Sequence, residues 1–126
     1  MSKLPDLSAI DITPILPEGT SIVKSYSENS ITINDKKFDY NIIVSEFDII
    51  KFASFDDIDR LNIDENTIII FGSKNIEARQ EFHEFISKKD PRHMFEIMDL
   101  GAACRTFNVL IQESRKVVGI FDVQGS

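Results

Sequence analysis

The sequence predicts one α/β domain: a mixed β-sheet that begins as an antiparallel meander and ends in βαβ units, with helices packed on the sheet. Short extended segments separated by turn residues fill the first half of the chain, and two amphipathic helical patterns alternate with apolar runs in the second half. The chain has 126 residues, of which 42% are hydrophobic, and this size and composition suit one domain with its own core.

Residues 1–20 are predicted to form an irregular arm, and residues 21–126 the single domain. Pro5, Pro14 and Pro17 interrupt every regular period within the arm. The arm has neither a basic region followed by a long apolar core nor an Arg-rich presequence, and the apolar runs are far shorter than the roughly 20 residues that cross a bilayer. We therefore expect a cytoplasmic, bacterial-type protein without a transmembrane segment.

Extended segments follow the arm. Asn34 and Asp35 tolerate the left-handed backbone of a tight hairpin turn, so the segments around them are predicted to form the antiparallel meander. The predicted strands of this half are SIVKSY (residues 21–26), SITI (30–33), KKFDYNIIVS (36–45) and FDIIKF (47–52).

An acidic segment, residues 54–66, is predicted to contain a short helix and invites a metal interpretation. Its carboxylates are Asp56, Asp57, Asp59, Asp64 and Glu65. A calcium loop needs a central glycine for its sharp turn, and this segment has none. A solvated charged face is therefore favoured, and no metal site is predicted.

The second half begins with a continuous apolar run, NTIIIFG at residues 66–72, which is typical of a strand buried on both faces and predicts the centre of the sheet. A helix capped by Asn75 is predicted next, with Phe82 and Phe85 on its apolar stripe and Pro91 after its end. Two further strands are predicted, HMFEIM (residues 93–98) and KVVGIFDV (116–123).

Another helix is predicted between those two strands, from Gly101 onward. Ala103, Phe107 and Leu110 recur at helical spacing and form its buried face. Cys104, in its first turn, is favoured as a small buried residue over a nucleophile, because no histidine is placed by sequence to act as its base. The polar side of this helix is predicted to carry Arg105, Asn108, Gln112 and Arg115.

Charge and composition argue against several functions. The net charge is −7 and the basic residues are scattered, which disfavours a nucleic acid partner. Cys104 is the only cysteine and His83 and His93 the only histidines, so an intrachain disulfide and a Cys-rich zinc site are excluded. No cofactor is predicted. No Ser-His-Asp or Cys-His pattern is readable, so no catalytic residue is assigned and a non-enzymatic role is favoured.

The carboxy-terminal third carries a family resemblance. The string EIMDLGAACRTFNVL, followed by ESRKVVGIF, resembles the signature of the domain of unknown function 498/598 family, the Mth938-like domain. The string ITINDKKFDYNIIV is similar to the hairpin of that family, and Gly72 falls where the family has a Gly-Thr-Gly loop. The resemblance covers roughly residues 22–121. Ser73, Lys74, Leu100 and Phe52 depart from the residues usual in the family.

This resemblance implies the Mth938-like α/β fold and a role. The family includes the mitochondrial complex I assembly factor 3, so the resemblance implies a non-enzymatic assembly or adaptor protein in the biogenesis of respiratory complex I. Its implied partners are respiratory complex subunits or assembly factors, through which the protein would lie peripheral to the inner membrane. The oligomeric state is left open.

A candidate site follows from the predicted topology. Ligands of open α/β sheets gather beyond the carboxyl ends of strands, where the loop Gly72, Ser73, Lys74 and the corner from Asp99 to Arg105 are both predicted to lie. A cleft there would bind an anion or a small ligand, with Arg105 supplying a charged fork. A packed turn in which Asp99 caps the helix is the alternative at the same corner, and it is favoured over the ligand site. Asn108 and Gln112 complete the candidate set.

Overall fold

The computed structural model describes residues 16–61, 63–89 and 94–124. Within these ranges the chain forms eight strands and three helices. The strands are β1 Val23–Tyr26, β2 Ile31–Ile33, β3 Lys36–Phe38, β4 Ile42–Val44, β5 Ile49–Lys51, β6 Ile68–Ser73, β7 Met94–Met98 and β8 Val117–Asp122. The helices are α1 Asp56–Asp59, α2 Ile76–Ile86 and α3 Leu100–Gln112.

The strands form two sheets. An antiparallel sheet has the order β1-β2-β3, and a mixed sheet has the order β5-β4-β8-β6-β7, in which β6 pairs in parallel with both β7 and β8. Asn34 has φ of 56°, the left-handed conformation expected at the turn between β2 and β3. The predicted meander and the predicted α/β class with βαβ units are both confirmed.

The predicted single strand over residues 36–45 is wrong, because this segment divides between the two sheets. Phe38 ends β3 opposite Ile31, whereas Ile42 begins β4 between Lys51 and Phe121. Asn41 explains the break: its side-chain oxygen accepts hydrogen bonds from the amides of Val123, at 2.8 Å, and Gln124, at 3.1 Å. This side chain thus holds the chain at the end of β8 where it changes sheets.

The middle strand of the mixed sheet is β8, whereas the sequence predicted this place for β6. Both strands are buried along their whole length, so the apolar run at residues 66–72 signals burial on two faces and not position in the sheet. The order differs because β4 pairs antiparallel with β8, which adds β4 and β5 on that side.

Helices cover both faces of the mixed sheet, and the side chains of β6 alternate between them. Ile68 and Ile70 join the core cluster that contains α3 and the antiparallel sheet. Ile69 and Phe71 join the cluster that contains α1 and α2. Phe82 of α2 stacks on Phe71 with ring centroids 4.4 Å apart and planes 8° apart. The predicted apolar stripe of α2 is therefore part of the core.

Local hydrogen bonds set the helix starts. The side chain of Asn75 accepts from the amides of Glu77 and Ala78, at 2.8 and 3.3 Å, and so caps α2 as predicted. In α1, the carboxylate of Asp57 accepts from the amides of Ala53 and Ser54, which precede the helix, at 2.7 and 3.0 Å. These backbone hydrogen bonds, first that of Ala53, lower the pKa of the Asp57 carboxyl group.

Two other carboxylates of the acidic segment pair with distant lysines. Asp59 lies 2.6 Å from the ammonium of Lys89, and Asp64 lies 2.8 Å from that of Lys116. Among the residues that the structure describes, no three His, Cys, Asp or Glu side chains are grouped to hold a metal ion. Asp59 and Asp64 are thus half-exposed and tie this segment to Lys89 and Lys116.

Phe107 should be the largest single contributor of α3 to stability. Its side chain is fully buried and meets Phe121 edge to face, with centroids 5.7 Å apart. We expect Phe107→Ala to lower the free energy of unfolding by about 3 to 5 kcal/mol, because it leaves a cavity in the core. The matched control is Val109→Ala on the exposed side of the same helix, which should cost about 0.5 kcal/mol or less. Urea denaturation measures both, and equal losses would contradict the packing.

Candidate functional site

The two predicted halves of the site meet where β6 ends and α3 begins. A Cβ atom added to Gly72 would overlap the Cβ of Ala103 and lie 3.5 Å from the Cα of Leu100. Strand and helix are therefore in direct van der Waals contact at this position. The structure brings the loop and the corner side by side, and their contact at Gly72 is a packed junction where the sequence predicted a cleft.

Ser73 lies inside the protein, with no exposed surface. Its hydroxyl donates to the carboxylate of Asp122 at 2.9 Å and accepts from the amide of Asn75 at 3.0 Å. Its carbonyl accepts from the guanidinium of Arg79 at 2.6 Å. Ser73 thus joins the carboxyl ends of the parallel strands β6 and β8 to the start of α2.

Lys74 leaves the sheet and reaches toward the antiparallel sheet. Its ammonium donates to the backbone carbonyl of Glu28, in the turn between β1 and β2. The side chain remains exposed, and its acceptor is a neutral carbonyl. Lys74 therefore anchors that turn and keeps its positive charge.

Asp99 caps α3. Its carboxylate accepts from the amide of Gly101 at 3.1 Å, and its backbone carbonyl accepts from the amide of Ala103 at 2.9 Å. A carboxylate is favourable there because the helix dipole places partial positive charge at the first turn. This geometry is that of the capped turn. An anion bound at the start of α3 would compete with the Asp99 carboxylate for the amide groups of the first turn.

Arg105 is exposed and forms no hydrogen bond or ion pair within the described part of the chain. One terminal guanidinium nitrogen, Nη1, lies 3.5 Å from where a Cβ of Gly101 would be. The ring of Tyr26 covers the same glycine, with its Cζ atom 3.0 Å from that position. Glycine at 101 therefore leaves room for Tyr26 beside Arg105.

Tyr26 is a candidate site residue that the sequence analysis missed. It ends β1, and its side chain is 45% exposed. A tyrosine at the end of a strand is ordinary, and nothing in the local pattern points to Gly101, which lies 75 positions later in the chain. Only the packing of β1 against α3 brings the two together.

Asn108 has a structural role that its place on a polar helix side did not indicate. Its side-chain oxygen accepts from the amide of Val23 and its side-chain nitrogen donates to the carbonyl of Val23, both at 2.9 Å. This pair of bonds fastens β1 to α3. Gln112, a further seven residues along α3 from Arg105, is about 10 Å away along the helix axis and is half-buried.

Cys104 is 3% exposed and belongs to the core cluster of α3. Burial raises the pKa of its thiol from 9.0 to about 12, and the neighbouring charge of Arg105 opposes this only in part. The thiol is therefore protonated at neutral pH and packs as a small apolar group. His83 is exposed on α2, and His93 lies outside the described residues.

Comparison with known families gives one match. The model of a family described as "Protein of unknown function (DUF498/DUF598)" matches residues 23–121. No curated protein matches the chain. Within the described ranges, no helix has both the length and the apolar character needed to cross a bilayer.

Solved structures share the fold. A Bartonella henselae protein, described as an outer membrane protein, is 24% identical with a TM-score of 0.62, and the match covers 82% of this chain and 95% of that one. A Xanthomonas campestris protein is 18% identical, with a TM-score of 0.63 and coverage of 92% and 94%. A Bordetella pertussis protein, described as a Mth938-like domain, is 16% identical, with a TM-score of 0.61 and coverage of 93% and 94%. At these identities the likeness establishes the fold.

The contact between Gly72 and Ala103 can be tested with a double-mutant cycle. We expect Gly72→Ala to cost about 1 to 3 kcal/mol, because the added methyl group has no space. In the Ala103→Gly background, which vacates that space, the same substitution should cost clearly less. Urea unfolding of the four proteins measures the coupling, and an identical cost in both backgrounds would show that the two residues do not touch.

Because the thiol of Cys104 is buried, we expect it to react slowly with alkylating reagents. Iodoacetamide should label the folded protein at neutral pH far more slowly than the urea-unfolded protein, which is the matched control. Because the folded-state pKa exceeds the unfolded one, the thiol stabilises the fold fully below pH 9.0, and this contribution declines as the pH rises from 9.0 toward about 12. Labelling of the folded protein at the unfolded rate would refute this assignment.

Proposed function

Because the chain belongs to the DUF498/DUF598 family of proteins of unknown function, whose model matches residues 23–121, we propose that it is a non-enzymatic assembly or adaptor protein in the biogenesis of respiratory complex I, the NADH:ubiquinone oxidoreductase. The resemblance of residues 96–110 to the signature shared with the mitochondrial complex I assembly factor 3 motivates the choice of complex. Its partners would be respiratory complex subunits or other assembly factors.

The main observation behind the non-enzymatic role is that the side chains at this corner form hydrogen bonds within the domain. Ser73 is fully buried and bonded to Asp122, Asp99 caps α3, and Lys74 anchors the turn at Glu28. Side chains already engaged in the fold are poorly placed to act on a substrate. Tyr26 and Arg105 remain exposed beside Gly101, and exposed side chains of these two types suit a protein partner.

The nucleophilic side chains near this corner also favour a non-enzymatic role. The hydroxyl of Ser73 is bonded to a carboxylate, and the thiol of Cys104 is buried with a raised pKa. Within the described residues, neither side chain is hydrogen-bonded to a histidine that would act as a base. We place the protein in the cytoplasm, peripheral to the inner membrane through its partners.

A second candidate function rests on Arg105. Its guanidinium has no hydrogen-bond partner among the described residues and lies beside the first turn of α3, where it could bind an anion or the carboxylate of a small ligand. Such a ligand would share the helix start with Asp99. A metabolite that co-purifies with the protein and is released by unfolding, identified by mass spectrometry, would favour this alternative.

Deletion of the gene in a host that contains complex I tests the assembly role. We expect the membranes of the deletion strain to contain less assembled complex I and less NADH:ubiquinone oxidoreductase activity, and a plasmid copy of the gene should restore both. Succinate dehydrogenase activity, which does not depend on complex I, is the internal control and should be unchanged. Normal complex I content and activity in the deletion strain would contradict the proposal.

A further inference from the structure

One exposed surface combines an aromatic ring, a guanidinium and an aliphatic side chain. Tyr26 is 45% exposed and Val109 is 48% exposed, and Tyr26 and Arg105 both lie beside Gly101. Arg105 and Val109 are four positions apart on α3, so they project from the same side of the helix. We call the surface formed by Tyr26, Arg105 and Val109 the Tyr–Arg face.

Among the described residues, some exposed cations are paired with a carboxylate and Arg105 is not. Arg60 and Lys89 are each neutralised by an aspartate, at 2.8 and 2.6 Å. Arg105 forms no ion pair within the described residues, and the ammonium of Lys74 is bound to the neutral carbonyl of Glu28, two positions after Tyr26. The adjacent carboxylate of Asp99 is engaged by the amide of Gly101.

The Tyr–Arg face therefore offers an unpaired guanidinium on a chain whose net charge is −7. A guanidinium has a planar fork of donors that matches the two oxygens of a carboxylate. Tyrosine and arginine are also the residues that, with tryptophan, most often dominate the binding energy of protein interfaces. A partner that covers this surface therefore needs a negatively charged group for Arg105 and an apolar group for the exposed side chains beside it.

We propose that the Tyr–Arg face docks an acidic segment of a partner protein. One carboxylate of the segment binds the fork of Arg105, the positive charge of Lys74 supports it, and an adjacent apolar side chain packs against Tyr26 and Val109. This proposal deepens the adaptor function, on which it rests, by assigning the surface and the chemistry of the partner.

A library of displayed random peptides tests the proposal without knowledge of the natural partner. With the full chain as bait, we expect enrichment of peptides in which Asp or Glu adjoins an apolar residue. Binding of a selected peptide should weaken roughly tenfold or more for Arg105→Glu and for Tyr26→Ala, the loss typical of an interface hot spot. With Arg105→Glu as bait, selection should turn to peptides rich in Lys and Arg.

Two matched controls lie elsewhere on the surface. Arg60→Glu reverses an exposed arginine that is already paired with Asp57, and Tyr40→Ala removes a tyrosine that is 36% exposed. Neither control should change the selected sequences or their affinity. If Tyr26→Ala lowers the melting temperature, Val109→Asp, at a 48% exposed position, replaces it as the test of the apolar half.

Three outcomes would overturn the proposal. The first is an enrichment without acidic residues, and the second is an equal loss of affinity in Arg60→Glu and Arg105→Glu. The third is self-association of the wild-type chain in sedimentation that Arg105→Glu abolishes, because a second copy would then occupy the face. Peptide selection does not depend on complex I. An acidic selection together with normal complex I in the deletion strain would therefore refute the assembly role and leave the docking surface standing.

Discussion

The close approach of α3 to the mixed sheet is the constraint on which the rest of the structure depends. At Gly72 the strand has no side chain, and Ala103 occupies the space. At Gly119 the rings of Phe121 and Phe107 occupy the space, with the Cε2 and Cζ atoms of Phe121 2.7 Å and the Cδ1 atom of Phe107 3.0 Å from where a glycine Cβ would be. Because Ala103 faces Gly72 and Phe107 reaches Gly119 beside the ring of Phe121, α3 packs closely on the sheet at both glycines.

That placement determines what surrounds the helix. With the buried side of α3 held by the sheet, Asn108 lies where it can bind both backbone groups of Val23 and so attach the antiparallel sheet. The attachment carries the end of β1 over the first turn of α3, where Gly101 leaves room for Tyr26. The juxtaposition of Tyr26 with Arg105 is thus a consequence of packing that begins at Gly72 and Gly119.

Sequence reasoning succeeded where a feature depends on neighbours in the chain and failed where it depends on distant segments. The caps Asn75 and Asp99 bond to amides two or three residues away, so their residue types sufficed to predict them. Membership of the family and the α/β class were also predicted, since both rest on contiguous strings and periods.

Other features depend on distant pairings. The burial of Ser73 against Asp122 joins residues 49 positions apart, and the bonds of Asn108 span 85 positions. The central place of β8 follows from its pairing with β4, which no local pattern encodes. Hydrophobic periodicity predicts which face of a helix or strand is buried, but it does not predict which segment packs against that face.

The same distinction separates the residues that maintain the fold from those left for recognition. Ser73 and Lys74 replace two residues of the Gly-Thr-Gly loop usual in the family, yet both take part in bonds that tie strand ends and turns together. To bind a ligand, these side chains would have to break hydrogen bonds that hold the corner together. Tyr26 and Val109 carry exposed side chains, and Arg105 has no bond within the described residues that a partner would have to break. The proposed docking surface therefore lies on the outer side of α3, where a partner can bind without reorganising the domain.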